Sequence, residues 1–136
     1  KDGYSAREKL LGMEQLVEEM KLTMKVKNGG LSELLARNIT LEYGEYYDVV
    51  VCSSDLMAIG AMKALIEMDI FRPVCGYDGI ILMGYVGKQM NTVRQDFAGI
   101  SAAAMEELHQ LLGGKEGRRV KTPYSLVRIK YKDIIC

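Results

Sequence analysis

The chain has 136 residues, of which 49% are hydrophobic and 26% are charged, and this composition is typical of one folded domain rather than a disordered chain. Eighteen basic and eighteen acidic residues cancel, so no overall positive charge indicates a nucleic-acid-binding surface. The apolar runs are shorter than the ~20 residues that a membrane span needs.

The first third of the chain predicts two helices joined by a turn. Apolar residues recur at three- and four-residue spacing over residues 5–21, which indicates an amphipathic helix, and Ser5 with Glu8 forms a capping-box pattern at its start. Residues 23–26 are interpreted as a short strand that ends at an Asn-Gly-Gly turn. Residues 31–37 then predict one or two helical turns.

The rest of the chain alternates between strands and helices. Residues 48–52 form a β-branched run that is typical of a central strand buried on both faces. The remaining predicted elements are helix 56–68, strand 73–77, strand 91–95, helix 98–112 and strand 125–131. This order predicts an α/β fold in which a parallel sheet lies between two layers of helices, that is, a three-layer α/β/α arrangement.

The sequence offers little support for an enzyme. We find no nucleophile with an evident base and no glycine-rich phosphate loop, and the one histidine, His109, falls inside a predicted helix. Cys52, Cys75 and Cys136 are widely spaced, so they predict neither a metal site nor a disulfide framework. We therefore expect no catalytic residues, no metal and no cofactor, and free cysteines favour a reducing compartment.

Polar turns follow two neighbouring predicted strands, where open α/β sheets hold small ligands. Residues 53–55 present two hydroxyls and a carboxylate, and Asp78 presents a carboxylate after the next strand. Such groups accept hydrogen bonds from the hydroxyls of polyols. For Asp55, the cap of the following helix is the favoured interpretation. For Asp78, ligand binding and a local turn bond remain equal alternatives.

The predicted helix at residues 56–68 is apolar on all sides, with Lys63 and Glu67 as its charged residues. A helix of this kind must be buried on two sides, so its outer side predicts contact with another domain or another chain. Residues 80–83 form a second apolar patch. The alternative is a helix at the centre of a larger domain.

Four motifs in order carry a resemblance to a known family: SSDLMAIGAMKALIEMDI, GYDGI, MNTVRQDF and TPYSLVRI. Together they closely resemble the effector-binding core of the lactose/galactose repressor family, over residues 5–129. The resemblance implies a periplasmic-binding-protein-like fold, of which residues 1–136 would be an effector-binding and dimerisation fragment, mostly the C-terminal lobe. The helix at 97–113 would cross to the N-terminal lobe, and residues 28–47 and 70–76 are shorter than in the family.

The resemblance also implies roles for individual residues. Lys9 stands where the family commonly has an arginine that anchors the effector. The implied effector-binding residues are Asp78, Ser54, Lys9, Ser5 and Phe97. The implied dimer-interface residues are Ile59, Met62, Lys63, Ile66, Ile81 and Leu82.

The expected function is the ligand-sensing and dimerisation core of a cytoplasmic, repressor-type bacterial transcriptional regulator. Its expected partners are a small sugar-like or nucleoside-like effector, a second copy of the chain, and operator DNA through a helix-turn-helix headpiece that we expect to lie outside this chain; we expect no membrane partner. The alternatives are a periplasmic sugar-binding protein of a transport system, a small α/β enzyme, and a dimerisation fragment that binds no ligand.

Overall fold

A computed structural model of the protein describes residues 3–80 and 90–128. The chain divides into two compact units, Lys1–Gly76 and Tyr77–Cys136. The helices and strands, in chain order, are α1 (Tyr4–Glu19), α2 (Glu33–Tyr43), a short 3₁₀ helix (Gly44–Tyr46), β1 (Val50–Val51), α3 (Asp55–Glu67), β2 (Val74–Asp78), β3 (Asn91–Gln95), α4 (Phe97–Leu112) and β4 (Tyr124–Val127).

A parallel strand pair organises the first unit and confirms the predicted α/β class. Val50 lies opposite Val74 and Val51 opposite Cys75, and the backbone N–H of Cys52 donates to the Cys75 carbonyl at 2.8 Å. Strand β1 is shorter than the predicted strand at 48–52, because only Val50 and Val51 pair with β2. Val51 is 48% exposed in the described part of the chain, so the expected burial of both faces is not met at this residue.

Helices α2 and α3 pack closely through a small-residue face. Ala58, Ala61 and Ala64 are fully buried. A Cβ atom at Gly60 would lie 2.1 Å from the carbonyl oxygen of Glu33, so the α2 backbone approaches α3 at a position that only glycine allows. This close approach builds the core of the first unit.

The packing corrects one inference about α3. The apolar circumference of this helix was expected to need another domain or chain, but α2 covers much of it within the same unit. Two ion pairs join the exposed edges of the helices: Lys63 with Glu33, and Arg37 with Glu67. The second apolar patch, at 80–83, lies almost entirely outside the described residues.

Two local predictions near the N-terminus are wrong. Helix α1 begins at Tyr4, its N-cap is Gly3, and no side chain caps it, so Ser5 and Glu8 do not form a capping box. Residues 23–26 form no strand, because an extended segment needs a neighbouring strand to satisfy its backbone groups. The turn that follows is as predicted: the Asn28 side chain accepts a hydrogen bond of 2.9 Å from the Gly30 N–H.

In the second unit, β3 and β4 are antiparallel, with Arg94 opposite Ser125 and Gln95 opposite Tyr124. The last strand therefore departs from the parallel arrangement expected along the whole chain. Helix α4 follows β3 directly, since the Asp96 side chain accepts from the Gly99 N–H at 3.0 Å and caps it. Glu107 on α4 holds Arg118 through three hydrogen bonds, which fixes the segment that leads back to β4.

Candidate functional site

The first candidate group is the turn between β1 and α3, at residues 53–55. The Ser54 hydroxyl accepts a hydrogen bond of 3.3 Å from the Met57 N–H, and Ser54 has the extended backbone of an N-cap residue. Asp55 is the first residue of the helix and is fully buried. The expected cap role of Asp55 is therefore wrong, and Ser54, which is 7% exposed, fills it instead.

Lys9 reaches this turn from α1. Its ammonium donates a hydrogen bond of 2.9 Å to the backbone carbonyl of Ser53, 44 residues away in sequence. The Ser53 hydroxyl donates in turn to the Met57 sulfur at 3.7 Å. Ser5 lies four residues before Lys9 and so falls on the same face of α1, where it is exposed. The structure thus brings the predicted residue Lys9 to the turn that contains Ser54.

The second candidate group surrounds Asp78 at the end of β2. The Gln95 side-chain amide donates a hydrogen bond of 2.7 Å to Oδ1 of Asp78, and both residues are half-buried. Asp78 has a φ of 120°, a backbone conformation that residues other than glycine rarely adopt. The backbone at this carboxylate is therefore strained, and strain of this kind is concentrated at ligand sites.

Phe97 begins α4, immediately after the capping residue Asp96, and is 49% exposed. A shallow depression of about 190 Å³ lies nearby in the same unit. Its lining residues are Arg94, Gln95, Asp96, Pro123, Tyr124 and Ser125. Gln95 thus contacts Asp78 and also lines this depression, a role that the sequence analysis did not give it.

The predicted dimer-interface residues have different environments. Ile59 is 3% exposed and offers almost no surface to a partner, while the Lys63 ammonium pairs with Glu33. Met62 is half-buried, and Ile66 is 76% exposed. Ile81 and Leu82 lie outside the described residues. Of the described members of the predicted interface, Met62 and Ile66 are therefore the ones with apolar surface available to a partner.

The described cysteines have the character of core residues. Burial raises the pKa of the Cys52 thiol to about 12, with a smaller contribution from nearby Cys75. Burial also raises the pKa of Cys75. Over residues 3–80 and 90–128, no group of three acidic, histidine or cysteine side chains is arranged to hold a metal ion. Among the same residues, no helix is long and apolar enough to cross a membrane.

Comparison with known proteins finds similarity to transcriptional regulators. No protein-family profile matches the chain. The transcriptional regulator MalR of Streptomyces coelicolor, described as helix-turn-helix type, is 29% identical over 104 residues, which are 74% of this chain and 28% of MalR. The chain therefore spans less than a third of the length of this relative.

Solved structures extend the likeness to the fold. A lac repressor dimer bound to operator and the anti-inducer ONPF matches with a TM-score of 0.79 and 25% identity, over 91% of this chain and 46% of that one. The chain is similar in sequence and fold to regulators of the lactose repressor family. A LacI-family regulator from Arthrobacter in complex with lactose matches with a TM-score of 0.71 and 25% identity, over 83% of this chain and 46% of that one.

The resemblance seen in the four sequence motifs is therefore confirmed, and so is the fold that it implied. The relative MalR is described as a transcriptional regulator, and the solved structures are a lac repressor and a LacI-family regulator; none of these is an enzyme or a transport binding protein. The roles of Asp78, Ser54, Lys9, Ser5 and Phe97 in effector binding stay predictions.

Proposed function

We propose that the chain is the ligand-sensing and dimerisation core of a repressor-type bacterial transcriptional regulator. The observation that carries the proposal is the likeness over 91% of the chain to a repressor dimer that was solved with operator and a small effector. Operator DNA would be contacted through a helix-turn-helix headpiece, and the relative MalR is described as a regulator of helix-turn-helix type. The protein would act in the cytoplasm, where the operator is.

The proposed effector is a small molecule rich in hydroxyl groups, such as a sugar. Asp78 supports this choice because an ionised carboxylate is acceptor-only, and its hydrogen bonds to hydroxyls are charge-assisted. A related regulator was solved with lactose, which is such a molecule. The proposal names sugars first and nucleosides, which also carry hydroxyls, second.

Lys9 is a weaker anchor for an anionic effector than an arginine would be. Its ammonium already donates to the Ser53 carbonyl, and a lysine presents a compact charge without the planar fork with which arginine grips a carboxylate or phosphate. We infer that Lys9 orders the turn at residues 53–55 and contributes less to effector affinity than Asp78 does.

A thermal-shift screen of the chain tests the proposal. The panel contains lactose, D-galactose, D-glucose, D-glucose 6-phosphate and adenosine, each raised to millimolar concentration. Because a ligand that binds only the folded state stabilises it, we expect at least one neutral sugar to raise the Tm. A flat response to the whole panel would contradict the proposal.

Dimerisation is tested separately by sedimentation equilibrium. We propose that the exposed side of α3, with Met62 and Ile66, contacts a second copy of the chain. Ile66→Lys should weaken self-association, whereas Leu34→Lys, at an exposed residue of α2, should leave it unchanged. Equal effects of the two variants would remove this surface from the interface.

A further inference from the structure

Gln95 and Asp78 form a defined pair in the second unit. The distance from Gln95 Nε2 to Asp78 Oδ1 is 2.7 Å, and 17 residues separate the two in sequence. A carboxylate only accepts hydrogen bonds, so the amide must present its N–H groups to Asp78. The chemistry therefore fixes the orientation of the Gln95 side chain as well as its position.

The backbone next to this pair is also fixed. Gly79 follows Asp78 with a φ of 73°, and a Cβ atom at Gly79 would lie 2.6 Å from the Cα of Arg94. The chain just after Asp78 is therefore pressed against β3 one residue before Gln95. A φ of 120° at Asp78 is unfavourable, and it persists only where the surroundings hold it.

The carboxylate of Asp96, the residue after Gln95, has a different structural role. Asp96 caps α4 through the Gly99 N–H, so its position serves the helix. Gln95, in contrast, ends its strand with its amide directed at Asp78 and adds no cap to α4. Of these two adjacent residues, Asp96 therefore stabilises α4, whereas Gln95 holds the side chain of Asp78.

We propose that Gln95 is a positioning residue for effector binding: its amide holds the Asp78 carboxylate in the orientation that accepts effector hydroxyls. A carboxylate has about four acceptor sites, so one bond to Gln95 is compatible with bonds to a bound sugar. This inference rests on the proposed function, and it adds the residue that orients the carboxylate.

The test is a set of calorimetric titrations with lactose, D-galactose and D-glucose. Gln95→Met removes the amide and keeps the length of the side chain, and we expect about tenfold weaker binding of the sugar that binds the unaltered chain. The matched control is Gln110→Met, which removes a similar glutamine-to-carboxylate bond, to Glu106 at 2.6 Å, from the exposed side of α4. This control should bind like the unaltered chain.

A double variant separates positioning from general structural damage. Asp78→Gly removes the carboxylate and suits the positive φ, so the variant should fold. If Gln95 acts through Asp78, adding Gln95→Met to Asp78→Gly should not weaken binding further. A further loss, equal to the one that Gln95→Met causes alone, would overturn the inference.

The hydrogen bond between Gln95 and Asp78 can also be tested by NMR spectroscopy without any ligand. In ¹⁵N-labelled chain, Asp78→Gly should shift the side-chain amide signals of Gln95 and leave those of Gln110 in place, and unmoved Gln95 signals would overturn the inference. If no sugar binds the unaltered chain, the proposed function fails and this inference fails with it. If sugars bind and Asp78→Gly weakens their binding while Gln95→Met does not, this inference alone fails.

Discussion

The side-chain ammonium of Lys9 donates a 2.9 Å hydrogen bond to the backbone carbonyl of Ser53. This bond joins α1 to the turn at residues 53–55, and no residue of α1 is buried. Because apolar burial contributes little to holding this helix, the bond from Lys9 gains in importance. Lys9 thus has a structural role that does not depend on any effector.

Replacing Lys9 tests that role. Lys9→Met should lower the free energy of unfolding by about 1 to 2 kcal/mol, the cost of losing a partly buried hydrogen bond with a charged donor. Urea denaturation measures the change. The control is Lys25→Met, at an exposed lysine of the segment between α1 and α2, which should change stability little. Equal losses in both variants would mean that the bond to Ser53 contributes nothing specific.

Ser54 caps α3, so its hydroxyl should contribute measurably to stability. Ser54→Ala should cost about 1 kcal/mol, the usual loss when a helix loses its N-cap side chain. Ser53→Ala should cost much less, because the Ser53 hydroxyl makes only a 3.7 Å bond to the Met57 sulfur. The ratio of the two losses in chemical denaturation decides which serine caps the helix. The opposite ratio would contradict the assignment.

Gly60 and Gly12 are a matched pair of helical glycines with opposite surroundings. Gly60→Ala would bring a methyl group against the Glu33 carbonyl and should destabilise the fold by about 2 kcal/mol or more. Gly12→Ala meets open space on α1 and should stabilise the fold by about 0.5 to 1 kcal/mol, since alanine favours a helix. Thermal denaturation of both variants checks the signs. Tolerance of alanine at residue 60 would contradict the close packing of α2 and α3.

The buried thiol of Cys52 predicts a loss of stability in alkali. Its pKa is raised to about 12 in the folded chain from an ordinary value of 9.0, so between these values the folded state holds a proton that the unfolded state releases. The protonated Cys52 thiol makes its full contribution to the free energy of unfolding below pH 9. As the pH rises above 9, the free energy of unfolding falls by at most ~1.4 kcal/mol per pH unit through this group. Urea denaturation from pH 8 to 11 should therefore show a shallower decline for Cys52→Ala. Parallel declines would contradict the burial of this thiol.

Several elements could be predicted from sequence because their signals are local. Strand β3 has the predicted bounds, and α4 was predicted to within one residue, since its apolar stripe ends at Gly113. Helix α2 is longer than its sequence indicates. Thr40 is a poor helix former, but it is buried, and its hydroxyl donates to the Ala36 carbonyl at 2.9 Å, so tertiary packing overrides propensity.

The candidate site was only partly predictable. Asp78 could be found from its place after a strand, because the ends of neighbouring strands collect polar side chains. Gln95 could not, because its role depends on a contact across 17 residues that no local pattern encodes. The cap of α3 was assigned one residue too late, to Asp55, because serine and aspartate are equally good caps and only the backbone geometry at Ser54 distinguishes them.

The central claim is that Asp78 accepts the hydroxyl groups of a sugar-like effector, and one calorimetric comparison tests it most directly. The neutral sugar that raises the Tm most is titrated into the unaltered chain, Asp78→Asn, and the control Asp48→Asn, at an exposed aspartate outside the site. We expect Asp78→Asn to weaken binding tenfold or more, on the order of 1.5 kcal/mol, and the control to bind normally. An unchanged affinity in Asp78→Asn would contradict the claim.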